Sequence, residues 1–386
     1  MIKVISTEKR PIKLWLDDIE SGALEQAKNL ANLPFAFRHI PLMPDSHQGY
    51  GMPIGSILAT REVVVPNAVG VDIGCGMCAL RTDLTEISIP ELRATLKEAR
   101  ERIPLGKNSH DKAQDESWMP AGWEDLEQVS KGYTRALKQV GTLGGGNHFV
   151  EIQKGDDGYI WIMIHSGSRN LGYKVAGYYN RKAELLNERY HSSVTKKMEL
   201  AFLPIETDEA KEYIKEMNYC IEFALANRKL MMARMVEALT AVVGEFVYGE
   251  IINKAHNFAS WENHFGENVF VHRKGATRAR KDELGMIPGS QGTCSYIVRG
   301  LGNAESFESC SHGAGRKMGR KHAQRELDLE AEKASLDTKG IVHALRSKSD
   351  LDDAPGAYKD IDVVMDNQTD LAEIVVKLEP LAVLKG

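Results

Sequence analysis

The stretch IKEMNYCIEFALANRKLMMARM (214–235) decides how the rest of the chain is read. Ile214, Met217, Ile221, Ala224, Leu225, Met231 and Met235 fall near one face of a helix at 3.6 residues per turn. The strongly helical texture extends over about 173–242. Its methionines read as core packing rather than a cofactor box, because an unbranched thioether fills irregular gaps. On either side, short apolar strand-like runs alternate with glycine-rich loops. Before the helices those loops are PDSHQG (44–49), VGVDIGCGM (69–77), LGGGNHFVE (143–151) and HSGSRN (165–170). After them come AHN (255–257), IPGSQG (287–292) and SHGAGR (311–316). Glycine beside a ligand-type side chain lets backbone approach a metal or phosphate closely. Loops this similar in chemistry point to one polar site, and a site assembled from Asp72 through His312 cannot be cut between domains at residue 170. The sequence therefore predicts an α+β fold: a single mixed α/β catalytic domain over 1–386, a β-sheet core with surrounding helices, and a helical insertion at 173–242.

Working outward, residues 1–20 read as strands around a turn at Lys9-Arg10-Pro11, with a short helix at 24–33. Strand character follows at 35–42, 54–65, 78–81, 160–164, 269–272, 296–299 and 371–378. Helices are predicted at 90–102 and 123–140, around a polar stretch at 107–116, and at 320–333. No internal repeat, low-complexity segment or long linker interrupts the chain. The 386-residue length alone would favour two or three domains, and the motif distribution overrides that prior.

Formal net charge is −5, so the chain is not a general polyanion binder, and any nucleic-acid contact needs a local patch. Two basic runs qualify: Arg273, Lys274, Arg278, Arg280 and Lys281, then Arg316, Lys317, Arg320, Lys321 and Arg325. No signal peptide and no apolar stretch of membrane-spanning length is visible. Five cysteines at 75, 78, 220, 294 and 310 suggest no disulfide framework, and a cytoplasmic protein is expected.

Asp72 and Cys75 lie three apart in D-I-G-C-G, where a glycine turn can aim both at one ion. His148, His165 and His256, each at the edge of an apolar segment, are the natural nitrogen ligands. Thiolate, carboxylate and imidazoles together suit Mn, Zn, Co or Fe. Cys75 and Cys78 spell C-x-x-C, but no second such pair and no thioredoxin-like context accompany it; Cys78 is expected to pack within a strand. His39, His110, His191, His264, His272, His322 and His343 read as surface or structural. His312, between small residues, is open to attack phosphorus, Gly313-Ala314-Gly315 offers backbone N–H groups to phosphate oxygens, and Arg316 can neutralise charge. The segment 288–292 looks like a second backbone cradle. It is no Walker A loop, for GK[ST] is absent.

The motifs VGVDIGCGM, GTLGGGNHFVE, HSGSR, RKGA, IPGS, SCSHGAGR, AYKDID and the terminal KG resemble, in order and along nearly the whole chain, the RtcB family of RNA-splicing ligases. The resemblance implies a GTP- and Mn2+-dependent RNA ligase that joins a 3′-phosphate or 2′,3′-cyclic phosphate end to a 5′-hydroxyl end. It implies guanylylation of His312, transfer of GMP to the RNA 3′-phosphate, and expulsion of GMP by the 5′-hydroxyl. Two Mn2+ ions would share Cys75, one completed by Asp72 and His148, the other by His165 and His256. Asn147 would contact the GTP phosphates. Phe149, Val150, Asn257, Pro288, Gly289, Ser290, Gln291, Ser295, Gly313, Ala314 and Gly315 would surround the nucleotide, together with His148, His256 and His312. Glu151 and Lys385 match the positions that read guanine, whose N1–H and N2–H2 donors and O6 acceptor suit a carboxylate plus a cation. Tyr358 would stack on the base. Asp45, His47, Arg169 and Arg316 match polar positions for substrate or phosphate handling. RNA and GTP are the implied partners, and an archease-type activator stays open. The departures are Ala255 where many members carry His, Cys78 where others carry Asn, and Ser46 where Val is common. Two other readings keep much of this chemistry: an RNA 3′-end guanylyltransferase or cyclic phosphodiesterase that does not ligate, and an inert RNA-binding scaffold.

Overall fold

The computed structural model describes residues 1–386 as a mixed α/β structure built on two large sheets. The first has six strands in the order Lys3–Ile5, Ile12–Leu14, Ile40–His47, Ile54–Thr60, Glu267–Lys274 and Asn257–His264. The second has seven, in the order Ile252–Ala255, Gly76–Arg81, Ile160–Ser166, Phe149–Gly155, Ala372–Lys385, Ser295–Gly300 and Leu284–Ile287. Pairing is antiparallel throughout both, apart from Ile12–Leu14 beside Ile40–His47. The predicted strands are present, mostly longer than their apolar runs. There are two exceptions: in 35–42 the strand begins only at Ile40, because Arg38 adopts a left-handed φ of 55° just before it, and 54–65 is two strands, Ile54–Thr60 and Val63–Val64, parted at Glu62 with φ 60°.

The second sheet is buried on both faces. Cys78, Leu80, Val150, Ile152, Ile162 and Ile164 join a core that includes Met231, Met232, Met235 and Leu239. Met77, Phe149, Trp161 and Met163 join a core on the other face with Leu336, Leu351 and Val383. This two-sided burial explains runs such as IWIMI, which do not alternate polar with apolar.

The helical stretch contains Arg169–Arg189 and the 36-residue helix Asp208–Val243. Thr207 caps the long helix by accepting from the Ala210 N–H, and Asp208 and Glu209 favour its positive end. It packs against strands Gly76–Arg81, Ile160–Ser166 and Ile252–Ala255 and helices Ile89–Arg102 and Arg169–Arg189. Burial therefore extends beyond the one apolar face read from the sequence: Tyr213, Glu216, Asn227, Arg228 and Leu230 are buried as well. The predicted helix 320–333 is two helices, Arg320–Glu326 and Leu329–Thr338. Leu327 is extended, and the Asp328 carboxylate accepts from the Ala331 N–H to start the second one. No helix is long and apolar enough to cross a membrane.

Candidate active site and metal centre

Strand register brings the reactive loops together. Met77 and Phe149 both pair with His165, Phe149 pairs with Lys385, and Gly76 pairs with Ser166 and with Ala255. Cys75 precedes Gly76, His148 precedes Phe149 and His256 follows Ala255, so four donors meet at one end of the second sheet. His256 is also the residue at which the chain crosses from that sheet to the first.

The donor atoms converge. The Cys75 sulfur lies 3.4 Å from His148 Nε2 and 3.3 Å from His165 Nε2, and Asp72 Oδ2 lies 3.1 Å from His148 Nε2. The His165 and His256 rings are 5.1 Å apart. Two of the imidazoles are held from behind: Nδ1 of His148 donates to the Leu143 carbonyl and Nδ1 of His165 to the Asn147 carbonyl. That tautomer leaves both Nε2 lone pairs facing the Cys75 sulfur. Only the single Cys75 thiol proton can be shared among these lone pairs, which a cation between them would satisfy better, and His256 Nδ1 is buried with no partner at all. Cys, His and Asp donors fit a borderline-soft divalent ion. The residues present thus fit the metal that the sequence implies. Burial pushes the pKa of His165 and His256 well below the usual histidine value, so both rings are neutral and each has a lone pair to offer. Cys78 points into the apolar core on the far face.

A cavity of about 620 Å3 opens over these donors. Asp72, Cys75, His165 and His256 line its floor, and His312 adjoins them, its ring 4.8 Å from that of His256. The fully buried Asp45 stands behind His312. Its Oδ2 accepts from the backbone N–H of His312 (3.0 Å) and Gly313 (3.3 Å) and from His312 Nδ1–H (2.6 Å). His312 Nε2 has no partner and belongs to a residue that lines the cavity. Gly315, at φ 73°, passes directly over Asp45, where a Cβ would strike the Asp45 backbone. Only glycine fits there. Burial raises the Asp45 carboxyl, but its interaction with His312, hydrogen bonds included, outweighs that and holds it below its ordinary value.

The far end of the cavity is lined by Asn147, Phe149, Glu151, Pro288, Gly289, Ser290, Gln291, Tyr358 and Lys385. Burial raises Glu151 to about 8. His47, Asn257, Gly313, Ala314, Gly315 and Arg316 also line the cavity. Five predicted residues do not. Asp45 supports His312, and His148 meets the metal donors from behind. Val150 packs in the apolar core. Ser295 sits behind the 288–291 loop, its hydroxyl accepting from Gly289 N–H. Arg169 braces the glycine loop through Thr142 Oγ1 (2.9 Å) and the Gly106 carbonyl (2.6 Å).

Two residues escaped sequence reasoning, Asp353 and Gln153, and Lys274, named only within a basic run, takes a different place from the one expected. Asp353 is a buried hub that binds Lys385, Tyr358 and Arg316, the last at 2.8 Å. Gln153 donates to Glu151 (2.7 Å) and to the Ser295 hydroxyl (3.1 Å), so the same amide touches the cavity-lining Glu151 carboxyl and the support of the 288–291 loop. Lys274 lines the cavity with its ammonium against the Tyr50 and Asn67 carbonyls, and burial lowers it to about 7. Gln153 was findable as the i+2 neighbour of Glu151 on one strand face. Asp353 carries no local signal, and Lys274, within RKGA, is buried against backbone carbonyls, which its sequence neighbours do not foretell.

The two basic runs separate. In the first, Arg273 is buried against Glu262, Arg278 pairs with Glu283, Arg280 with Glu308, and Lys274 is buried. In the second, Arg316 is bound to Asp353 and Arg320 lies 3.6 Å from Asp352, but Lys317, Arg320, Lys321 and Arg325 are exposed, and Lys317 and Arg320 line the cavity.

Comparison with known proteins agrees with this geometry. The family profile described as tRNA-splicing ligase RtcB matches residues 26–386. The RNA-splicing ligase RtcB of Escherichia coli strain K12 is 39% identical over 409 residues, covering 100% of this chain and 99% of that protein. The tRNA-splicing ligase RtcB of Thermococcus kodakarensis is 33% identical over 442 residues, covering 95% and 92%. Order of motifs, convergence of donors and full-length similarity agree: this chain belongs to the RtcB family.

Proposed function

We propose that this protein is a GTP- and Mn2+-dependent RNA ligase that joins 3′-phosphate or 2′,3′-cyclic phosphate ends to 5′-hydroxyl ends. The observation that carries the reading is His312. Its Nδ1–H is fixed on a buried carboxylate and its Nε2 is unpartnered at a cavity floored by metal donors. A histidine so held is in the nucleophilic tautomer. His312 Nε2 attacks the α-phosphorus of GTP; an N–P bond forms, the α–β P–O bond breaks, and pyrophosphate leaves with the electron pair. The ring becomes cationic, and Asp45 offsets that charge through Nδ1–H. A 3′-phosphate oxygen of RNA then takes the guanylyl group and frees His312. The 5′-hydroxyl attacks the activated RNA phosphorus, gives up its proton, and GMP leaves. A cyclic phosphate is first opened by water.

Mn2+ held by Asp72, Cys75, His148, His165 and His256 supplies charge neutralisation and polarisation of phosphoryl oxygens. Glu151 as carboxylate accepts from guanine N1–H and N2–H2, while Lys385, held by Asp353, donates to O6. The exposed Lys317 and Arg320 at the rim suit the phosphates of an incoming strand.

The test is incubation with Mn2+ and α-labelled GTP, with ATP and His312→Ala as controls, followed by RNAs of defined ends. Acid-labile label on the wild type alone, from GTP alone, and a joined product from 3′-phosphate ends are expected. Label without joined product supports an end-capping guanylyltransferase instead, and no label in any metal discards nucleotidyl transfer.

A further inference from the structure

The helix Asp208–Val243 carries two polar side chains that the chemistry above does not use. Asn227 and Arg228 are fully buried. Arg228 has no carboxylate within ion-pair distance; its Nη1 and Nε donate to backbone and to one amide, and its Nη2 is buried without a partner. Nη1 donates to the carbonyls of Gly74 (2.9 Å) and Ser166 (2.8 Å), and Nε to Asn253 Oδ1 (2.8 Å). Gly74 precedes Cys75, Ser166 follows His165, and Asn253 lies on the strand that ends beside His256. One guanidinium therefore ties together the segments that present three of the donors.

Asn227 does the same one residue earlier. Its Oδ1 accepts from the N–H groups of Gly141 (2.8 Å) and Thr142 (3.0 Å). Its Nδ2 donates to the Thr142 carbonyl, the Ser166 hydroxyl and the Gly167 carbonyl. These groups root the loop that carries His148 and the strand end that carries His165. The helix also meets the Cys75 loop almost backbone to backbone: at Gly74, φ 75°, a Cβ would lie 2.8 Å from Ile221 Cα.

A buried cation without a carboxylate is costly, and apolar residues of similar volume commonly pack at least as stably. Stability alone does not account for an arginine here.

We propose that Asn227 and Arg228 are positioning residues for the metal centre, fixing the spacing of Cys75, His148, His165 and His256 before any ion enters. The proposal rests on the metal reading above. Residues that orient metal ligands typically change affinity by about 10–100-fold when altered.

Arg228→Lys keeps the charge and loses the planar fork. Glu216→Gln is the control. Glu216 lies on the same helix but holds Gln128 N–H, Val129 N–H and the Tyr179 hydroxyl, away from the donors. For each full-length protein, the Mn2+ dissociation constant, the thiolate-to-metal charge-transfer band with Co2+, and metal-free thermal unfolding are measured. Arg228→Lys should weaken Mn2+ binding by about 10–100-fold and shift or weaken the Co2+ band. Glu216→Gln should lower the unfolding temperature and leave both metal readouts unchanged. If Arg228→Lys does not fold, Asn227→Ala carries the same expectation. Unchanged Mn2+ affinity and Co2+ band in a folded variant with lowered unfolding temperature would overturn the proposal, leaving only a structural role. A wild type with no Mn2+ affinity and no Co2+ band would overturn the metal reading itself and this inference with it.

Discussion

Asp45→Asn isolates what the buried carboxylate does for His312. Asp45 Oδ2 accepts three donors, and Oδ1 is buried with no partner. Asparagine can place its carbonyl oxygen where Oδ2 lies, keeping the three donors and the His312 tautomer. Its NH2 then occupies the Oδ1 position, where no acceptor waits, at a stability cost of about 1–3 kcal/mol. The charge is what disappears. Hydrogen bonds to charged groups contribute about 1.5–3 kcal/mol and neutral ones about 0.5–1.5. The difference, about 1–2 kcal/mol in the cationic transition state, slows guanylylation by roughly 5–30-fold. Asp45→Ala removes the acceptor as well, frees the tautomer, and should cost roughly 100-fold or more. The assay is single-turnover transfer of label from α-labelled GTP at saturating GTP and Mn2+. The folded pKa of Asp45 is depressed, so its contribution is present above the ordinary carboxylate value and lost only as pH falls through the lower folded value. The Asn effect should therefore be flat from about pH 6 to 9, within the ionised range. Equal rates for wild type and Asn would refute the electrostatic part. Equal rates for Asn and Ala would refute the tautomer argument.

Glu151, raised to about 8 by burial, keeps a proton that the unfolded chain has released, so stability should fall as pH rises from the ordinary carboxylate range to about 8. Glu151→Gln should flatten that part of the unfolding profile, and wild-type GTP affinity should rise with pH over the same window; a GTP affinity independent of pH would count against carboxylate reading of guanine. Gln153→Met keeps volume but deletes the donor to Glu151 and Ser295; preference for GTP over inosine triphosphate should drop by about tenfold, the equivalent of one hydrogen bond, with KM for GTP as the readout. An unchanged preference would reduce Gln153 to a packing residue. Cys75→Ser should lose Mn2+ affinity, whereas Cys78→Ser should keep it and lose about 1–3 kcal/mol of stability by burying a hydroxyl in an apolar core, measured by urea unfolding; the opposite pattern would reverse their roles.

Much of this site was legible because its chemistry is local. Asp72 and Cys75 share one turn, and His312 precedes its own glycine cradle. His148 and Glu151 flank a short apolar run. Residue type and spacing suffice to nominate such groups. The long helix was legible too, since its apolar face repeats at 3.6 residues. What periodicity could not give is which polar residues of that helix would be inside. Asn227 and Arg228 look like surface breaks in an apolar stripe until the sheet that covers them is known. The same limit separated the two basic runs: both are dense in Lys and Arg, but only across the tertiary structure do Glu262, Glu283 and Glu308 neutralise the first. Asp353 acquires its role because Lys385, Tyr358 and Arg316 come to it from distant segments.

The sequence by itself determined the reactive groups, the family and the mixed α/β class, because a nucleophile, a metal donor and a hydrophobic period are written in residues a few positions apart. Tertiary structure decided which donors converge, that Glu151 meets the cavity with Gln153 behind it, and that Asp45 and Arg228 stand behind the site rather than in it. Those are properties of strand register and burial. They arise between segments as far apart as Asp45 and His312, whose carboxylate and imidazole meet at 2.6 Å only when the two-stranded ribbon of Ala276–Arg278 and Ser309–Ser311 packs against strand Ile40–His47.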